Sequence, residues 1–150
     1  MSIRAYTGND LPSIIDIYNR SKLDELQFED RKFTLLPLEE DIPRYSKLME
    51  SAIFIYSYQG QAAGFAAICG NEIRALFVHP DFRGKGVGAE LIQFLLNSVP
   101  GIEVHLYVAS SNRPAKTLYQ KYGFSITDTF ETTYNQEPVV AQKMVRRIVP

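Results

Sequence analysis

The stretch that decides the fold is ALFVHPDFRGKGVGAELIQFLL, residues 75–96. It opens with apolar residues typical of a buried strand, breaks at His79-Pro80, and continues with glycines at positions 84, 86 and 88. After the glycines, apolar residues recur at helical spacing as far as about residue 97. A strand, a glycine loop and a helix N-terminus in this order place backbone N–H groups where an anion such as a pyrophosphate can bind.

Two other phosphate-binding loops were compared with this stretch. A Walker A loop needs Lys and then Ser or Thr after its last glycine, whereas Ala and Glu follow here. The dinucleotide-binding fingerprint fits the spacing Gly84-x-Gly86-x-x-Ala89, and Glu103 lies near the expected ribose-binding acid. However, five residues separate the strand from the first glycine, and Glu103 falls at the start of the next strand rather than its end. A dinucleotide-binding module is therefore kept only as an alternative.

Composition bounds the size and the partners of the protein. With 150 residues, of which 45% are hydrophobic, the chain can bury one sizeable core, so we expect a single domain over residues 1–150. Sixteen basic and seventeen acidic residues leave no basic surface for nucleic acid or an anionic membrane. The chain has one cysteine, no apolar run long enough to span a membrane, and no apolar stretch like the core of a signal peptide near its start. These features predict a cytoplasmic protein. We expect a small-molecule or peptide partner, and a homodimer is left open.

Hydrophobic periodicity along the chain predicts alternating strands and helices. Asn9 or Asp10 can cap a first helix, and Gln59-Gly60 is a favourable turn between two β-rich runs. This order of elements is typical of a mixed α/β sheet. We predict strands over 3–6, 52–58, 61–69, 72–78, 102–108, 124–134 and 138–147, and helices after residue 10, within 24–50, from the glycine loop to 97, and over 112–122.

Two segments carry a family resemblance. The loop RGKGVG, residues 83–88, resembles motif A of the GNAT superfamily, the Gcn5-related N-acetyltransferases, whose signature is Arg/Gln-x-x-Gly-x-Gly/Ala. EIRALFVHPDFRGKGVG (72–88) is similar to the family's fourth strand and phosphate loop, and LYVASSNRPAKTLYQKYGF (106–124) to its fifth strand and following helix. The resemblance implies the GNAT fold: a mixed, mostly antiparallel sheet of about seven strands with about four helices, splayed between the fourth and fifth strands.

The resemblance also implies an activity and a cofactor. It predicts an N-acetyltransferase that moves the acetyl group of acetyl-CoA to a primary amine by direct attack in a ternary complex. The amine can belong to a small molecule, a peptide N-terminus or a protein lysine. The alternative function is that of an acyl-CoA-binding sensor without catalytic activity. The pantetheine arm is expected along strand 72–78. The implied cofactor-binding residues are Leu76, Phe77, Val78, Arg83, Gly84, Lys85, Gly86, Val87, Gly88, Ala89, Asn112 and Tyr119.

Two residues are candidates for proton transfer. Tyr119 occupies the family's tyrosine position, and a phenol of pKa about 10 can protonate a thiolate whose conjugate acid has a pKa of about 8.5. Tyr119 also belongs to an apolar helical stripe, so a structural role stays open. Glu72 matches a glutamate that activates the amine in several members, but it lies about 13 Å along the strand from Leu76 and needs ordered water. Alternatively, Glu72 is a solvated residue at the end of the strand, beside Arg74. The alternative role of Asn112 is that of a helix N-cap.

Other polar residues suggest less specific roles. His79 and His105 stand alone, without further ligands at metal-binding spacing, so we expect no metal site. Acidic residues between positions 24 and 33 are better explained by a solvated helix surface, and as acids beside aromatic residues they would also suit a cationic acceptor. The residues concerned are Asp24, Glu25, Phe28, Glu29, Asp30 and Phe33, with Phe130, Tyr134 and Asn135 expected on the opposite wall.

Overall fold

The computed structural model describes residues 2–147. Within them, seven strands form one sheet in the order β1-β2-β3-β4-β5-β7-β6. The strands are β1 (Ser2–Ala5), β2 (Ala52–Tyr58), β3 (Gln61–Cys69), β4 (Glu72–Val78), β5 (Val104–Ala109), β6 (Ser125–Tyr134) and β7 (Glu137–Arg146). The α-helices are α1 (Leu11–Ser21), α2 (Ile42–Met49), α3 (Val87–Ser98) and α4 (Arg113–Lys121), and short 3-10 turns cover Gly8–Asp10, Lys22–Leu26, Leu38–Glu40 and Pro80–Phe82.

The expected mixed, mostly antiparallel sheet is confirmed, and its parallel pair is β4 with β5. Neighbouring strands run antiparallel except β4 and β5, which run parallel. Over the described residues, the paired register between β4 and β5 is limited to Glu72 and His105 at the start of both strands. The two strands therefore diverge toward their C-terminal ends, and a gap opens between them beside Leu76 and Val78.

Helices cover both faces of the sheet. Phe65 and Ala66 are neighbours on β3 but belong to different core clusters, because successive side chains of a strand point to opposite faces. One cluster joins α3 and α4 to the sheet and includes Leu91, Ile92, Leu95, Leu106, Tyr119 and Met144. The other joins α1 and α2 to the opposite face and includes Ile14, Ile17, Tyr18, Leu48, Ile55, Phe65 and Phe77.

Element boundaries differ from the predicted ones where a turn intervenes. β5 begins at Val104 rather than at residue 102, since Gly101 adopts a positive φ of 75° and Ile102 is exposed. Within 24–50 the regular helix is α2, which keeps Pro43 in its first turn because no backbone N–H is needed there. Asp41 caps this helix by accepting a hydrogen bond from the Arg44 amide at 3.4 Å. None of the helices in the described part of the chain is long and apolar enough to cross a bilayer.

Candidate functional site

A cavity of about 620 Å³ occupies the gap between β4 and β5. Several parts of the chain meet there: the ends of β4 and β5, the glycine loop with the start of α3, one side of α4, the 3-10 turn after α1, Arg44 of α2, and the β6–β7 hairpin. The splay of the two strands thus creates an elongated space with a helix N-terminus at one side. Of the predicted cofactor-binding residues, those that line it are Leu76, Phe77, Val78, Arg83, Gly84, Gly86, Val87, Gly88, Asn112 and Tyr119.

The glycine loop borders this cavity and leads into the N-terminus of α3. Gly84 and Gly86 adopt positive φ angles of 75° and 82°, a conformation that side chains other than glycine rarely tolerate. Gly86 is also the N-cap of α3 and offers no side-chain acceptor to the N–H groups of the first turn. A Cβ added at either glycine would meet no atom within 4 Å, so the space in front of the loop is open. The residues present therefore fit a pyrophosphate, which would accept the hydrogen bonds that the cap lacks.

The two basic residues of the loop are placed differently. Arg83 lines the cavity, where its Nη1 lies 2.5 Å from Asp24 Oδ2 in the turn after α1. Its Nη2 also donates to the Val78 carbonyl at 3.4 Å. Lys85 is not among the lining residues, and its Nζ lies 5.8 Å from the centroid of the Tyr58 ring. Ala89, one residue further into α3, does not line the cavity either.

Strand β4 forms the floor of the cavity. Leu76, Phe77 and Val78 all border it, at the end of the strand where β5 has already diverged. The Val78 carbonyl also accepts a hydrogen bond from Ser21 Oγ at 3.1 Å, which fastens the C-terminal end of α1 to the strand. Pairing of a ligand along this strand stays a prediction, with the amide of Leu76 as the expected donor.

Tyr119 lies at the cavity wall and is buried. Its ring packs 5.9 Å from that of Phe124, so the side chain also belongs to the core. Burial raises the pKa of its phenol above the usual value, and the negative charge of Glu25 raises it further. The hydroxyl therefore keeps its proton at neutral pH, as a general acid must, while the raised pKa makes it a weaker acid than a free phenol. Asn112 is also buried, at the N-terminus of the same helix, and caps α4 by accepting from the Ala115 amide at 3.4 Å.

Glu72 lies outside this cavity. It borders a second cavity of about 210 Å³, and its carboxylate accepts from Arg74 Nε at 3.1 Å. Arg74 in turn lies 2.5 Å from Glu50. The two cavities share Arg44, Phe77 and Tyr107 as lining residues, so they adjoin each other. A role of Glu72 in proton transfer, through water as expected from its distance along β4, stays a prediction.

Sequence reasoning missed three ionisable residues of the main cavity, Arg44, Tyr107 and, most deeply buried of them, Lys22. Lys22 is 7% exposed, and its Nζ donates to Glu25 Oε2 at 2.8 Å. Burial lowers the pKa of Lys22, and this effect outweighs the opposite influence of Glu25. Helical spacing could have found it, because Lys22 follows Tyr18 by four residues and so continues the buried stripe of α1.

Some of the residues expected to surround the acceptor amine line the main cavity, and others lie elsewhere. Asp24, Glu25 and Tyr134 line the main cavity. Phe28 is 44% exposed and lies under the guanidinium of Arg113, and the carboxylate of Glu29 accepts from Ser111 Oγ. Asp30 and Phe33 border a separate surface pocket, and Phe130 and Asn135 are not among the residues that line the main cavity.

Comparison with protein families identifies one matching domain. The model described as "Acetyltransferase (GNAT) domain" matches residues 49–126, which run from the end of α2 to the start of β6. The chain is 36% identical to the peptidyl-lysine N-acetyltransferase YjaB of Salmonella typhimurium over 73 residues, 49% of each protein. It is also 36% identical to YjaB of Escherichia coli over 93 residues, 61% of each protein. The match thus spans about half to three fifths of these relatives.

Solved structures extend the similarity of the fold to nearly the whole chain. A GCN5-related N-acetyltransferase from Rhodopseudomonas palustris superimposes with a TM-score of 0.78 over 98% of this chain and 95% of that one, at 21% identity. The structure of yncA from Salmonella typhimurium, determined with its cofactor acetyl-CoA, gives a TM-score of 0.71 over 100% of this chain and 95% of that one, at 20% identity. At these identities, the similarity concerns the fold alone.

Proposed function

The chain belongs to the GNAT family of acetyltransferases, and we propose that it forms one N-acetyltransferase domain over residues 1–150 that uses acetyl-CoA. The observation that carries the proposal is the cavity between the splayed strands. It joins an uncapped helix N-terminus at Gly86 to the buried hydroxyl-bearing residue Tyr119. An anion site and a proton donor in one cavity are what transfer from a CoA thioester needs.

The anion end of the cavity would hold the pyrophosphate of the cofactor. The N–H groups of the loop and of the first turn of α3 donate to it, and their helix dipole favours its negative charge. Arg83 adds a guanidinium that can turn from Asp24 toward the phosphates. Bound there, acetyl-CoA supplies an acetyl group that is activated as a thioester.

The chemical step would use the middle of the cavity. The Leu76 N–H donates to the carbonyl oxygen of the acetyl group and stabilises the negative charge that develops on it. A neutral primary amine forms the new C–N bond while the C–S bond breaks. Tyr119 gives its proton to the departing thiolate, and the amine loses a proton to water or, through water, to Glu72. These roles are proposed from the position of each residue relative to the cavity.

The acceptor is proposed to be a primary amine that enters beside Tyr107 and Phe77, where the two cavities adjoin. The YjaB relatives are peptidyl-lysine N-acetyltransferases, which supports a peptidyl lysine among the acceptors, and a small amine or a peptide N-terminus stays within the proposal. A cytoplasmic location and a homodimer stay predictions.

A binding experiment with a matched control tests the cofactor site. Acetyl-CoA at about 100 times its Kd should stabilise the native protein by about 2.7 kcal/mol, and NADH or ATP should do much less. Gly86→Val should abolish this shift by blocking the loop. Gly60→Val is the control, because Gly60 has a similar φ of 78° and equally open surroundings but lies in the β2–β3 turn. Equal stabilisation by NADH would contradict the proposal.

An activity experiment separates the enzyme from a cofactor-binding sensor. Thiol release from acetyl-CoA should be measured with a panel of small amines, peptides with free N-termini and blocked lysine peptides. We expect release that depends on one amine class. Stabilisation by acetyl-CoA without release for any class would instead support the sensor.

A further inference from the structure

Lys22 is held inside the main cavity by contacts on both sides. The preceding residue, Ser21, hydrogen-bonds to the Val78 carbonyl of β4 at 3.1 Å. Further along the same turn, Leu26 packs against Tyr134 of β6 and Val139 of β7 in a small core cluster. The turn is therefore fixed between β4 on one side and the β6–β7 hairpin on the other, and the side chain of Lys22 lines the cavity there.

The ammonium group of Lys22 is surrounded by aromatic rings and one carboxylate. Its Nζ lies 5.3 Å from the ring centroid of Tyr134, 5.9 Å from that of Tyr18 and 6.0 Å from that of Phe77. Glu25 accepts its hydrogen bond at 2.8 Å. Faces of aromatic rings beside a carboxylate are the chemistry that binds an alkylammonium ion such as a lysine side chain. Lys22 thus occupies the kind of environment that an acceptor lysine requires.

This environment lies next to the groups proposed for acetyl transfer. Phe77 directly follows Leu76, the expected donor to the acetyl oxygen, and the charge of Glu25 is close enough to Tyr119 to raise the pKa of its phenol. Lys22, Leu76 and Tyr119 thus line the same cavity, which would hold both the acetyl group and the thiolate.

The surroundings also favour a reactive, neutral amine. Burial and the positive charge of Arg44 lower the pKa of Lys22, whereas Glu25 and Asp41 raise it, and the lowering dominates. The other ionisable groups that face it are the phenols of Tyr18 and Tyr134. A larger fraction of Lys22 is thus neutral at a given pH than of a lysine in water.

From this placement we propose that Lys22 is a modification site, which the enzyme acetylates on its own Nζ when no other amine fills the cavity. The inference rests on the proposed function. Lys22 loses a proton to Glu25 and onward to solvent, its Nζ forms the C–N bond with the acetyl carbon, and the C–S bond of the thioester breaks. Tyr119 protonates the thiolate, which leaves as free CoA. The acetylated side chain is neutral, no longer pairs with Glu25 and fills the acceptor end of the cavity.

Incubation of the purified protein with acetyl-CoA alone tests this proposal. Intact mass and peptide mapping should show one acetyl group at Lys22, added at a rate independent of protein concentration. Tyr119→Phe should lower that rate by about tenfold or more. Lys22→Arg keeps the positive charge opposite Glu25 and should stay unmodified. Acetylation that is confined to exposed lysines such as Lys121, or that is equally fast in unfolded protein, would overturn the proposal.

A mixing experiment distinguishes modification within one molecule from modification between molecules. Lys22→Arg protein that still releases thiol from acetyl-CoA with a panel amine, but that cannot be modified at this position, is incubated with Tyr119→Phe protein, which retains Lys22. Because Lys22 is buried, we expect no faster acetylation of it in the mixture than in the Tyr119→Phe protein alone. Faster acetylation in the mixture would refute transfer within the molecule.

The titration of the Lys22 amine can be measured without acetyl-CoA. In the NMR titration of lysine side-chain carbons, the signal that disappears in Lys22→Arg and in Lys22→Met should titrate at a lower pH than the other lysine signals. Titration at or above the others would count against the proposal. Stabilisation by acetyl-CoA and transfer to a panel amine without any acetyl-Lys22 would refute this inference alone, whereas loss of both would refute the proposed function.

Discussion

Asp24 pairs with Arg83, and we therefore expect Asp24 and the pyrophosphate of the cofactor to compete for this guanidinium. Asp24→Asn removes the charge that holds the guanidinium at 2.5 Å, so that Arg83 becomes free to bind the pyrophosphate. The two side chains are 42% and 43% exposed, and a pair this accessible contributes about 0.2 to 1 kcal/mol. Acetyl-CoA affinity should therefore rise by about 1.4- to 5-fold, since about 1.4 kcal/mol corresponds to tenfold. Isothermal titration calorimetry at low ionic strength measures this change.

A matched control variant and the effect of salt concentration on the affinity test whether the gain comes from the Asp24–Arg83 pair. Glu103→Gln breaks a comparably exposed pair with Arg147, on residues outside the cavity, and should leave the affinity unchanged. The gain from Asp24→Asn should shrink as salt is added, because ions screen exposed charges. Unchanged or weaker binding by Asp24→Asn would refute the idea that Asp24 and the pyrophosphate compete for Arg83.

Two further predictions concern the proton donor and the start of α1. Tyr119→Phe should lower kcat by about tenfold or more with little change in the Kd of acetyl-CoA, whereas Tyr122→Phe, whose hydroxyl contacts Gln93, should not; a loss below about threefold would leave Tyr119 as a core residue. Hydrogen bonds from Arg4 lower the pKa of Asp10 from 3.8 to about 2, so its contribution to stability is present above pH 3.8 and is lost as the pH falls toward 2. Urea unfolding across this range should show a steeper loss for the natural protein than for Asp10→Asn, and equal slopes would contradict the assignment.

The central part of the molecule could be predicted from the sequence by itself because it is governed by local rules. Alternation of side chains identifies β4, positive φ explains the glycines at 84 and 86, and helical spacing identifies α3. Asn112 could be assigned as a helix cap for the same reason, since its partner lies three residues away. The family resemblance rests on these neighbouring elements and added the splay between β4 and β5.

The acceptor side of the cavity was decided only by tertiary structure. Lys22 meets Phe77 and Tyr134 through packing between segments more than fifty residues apart, and no local pattern specifies that contact. The insertion of β7 between β5 and β6, and the ion pair of Asp24 with Arg83, likewise depend on how distant segments meet. Local sequence determines which backbone conformation a segment prefers, whereas the partners of a buried charge follow from the burial of apolar surface by the whole chain.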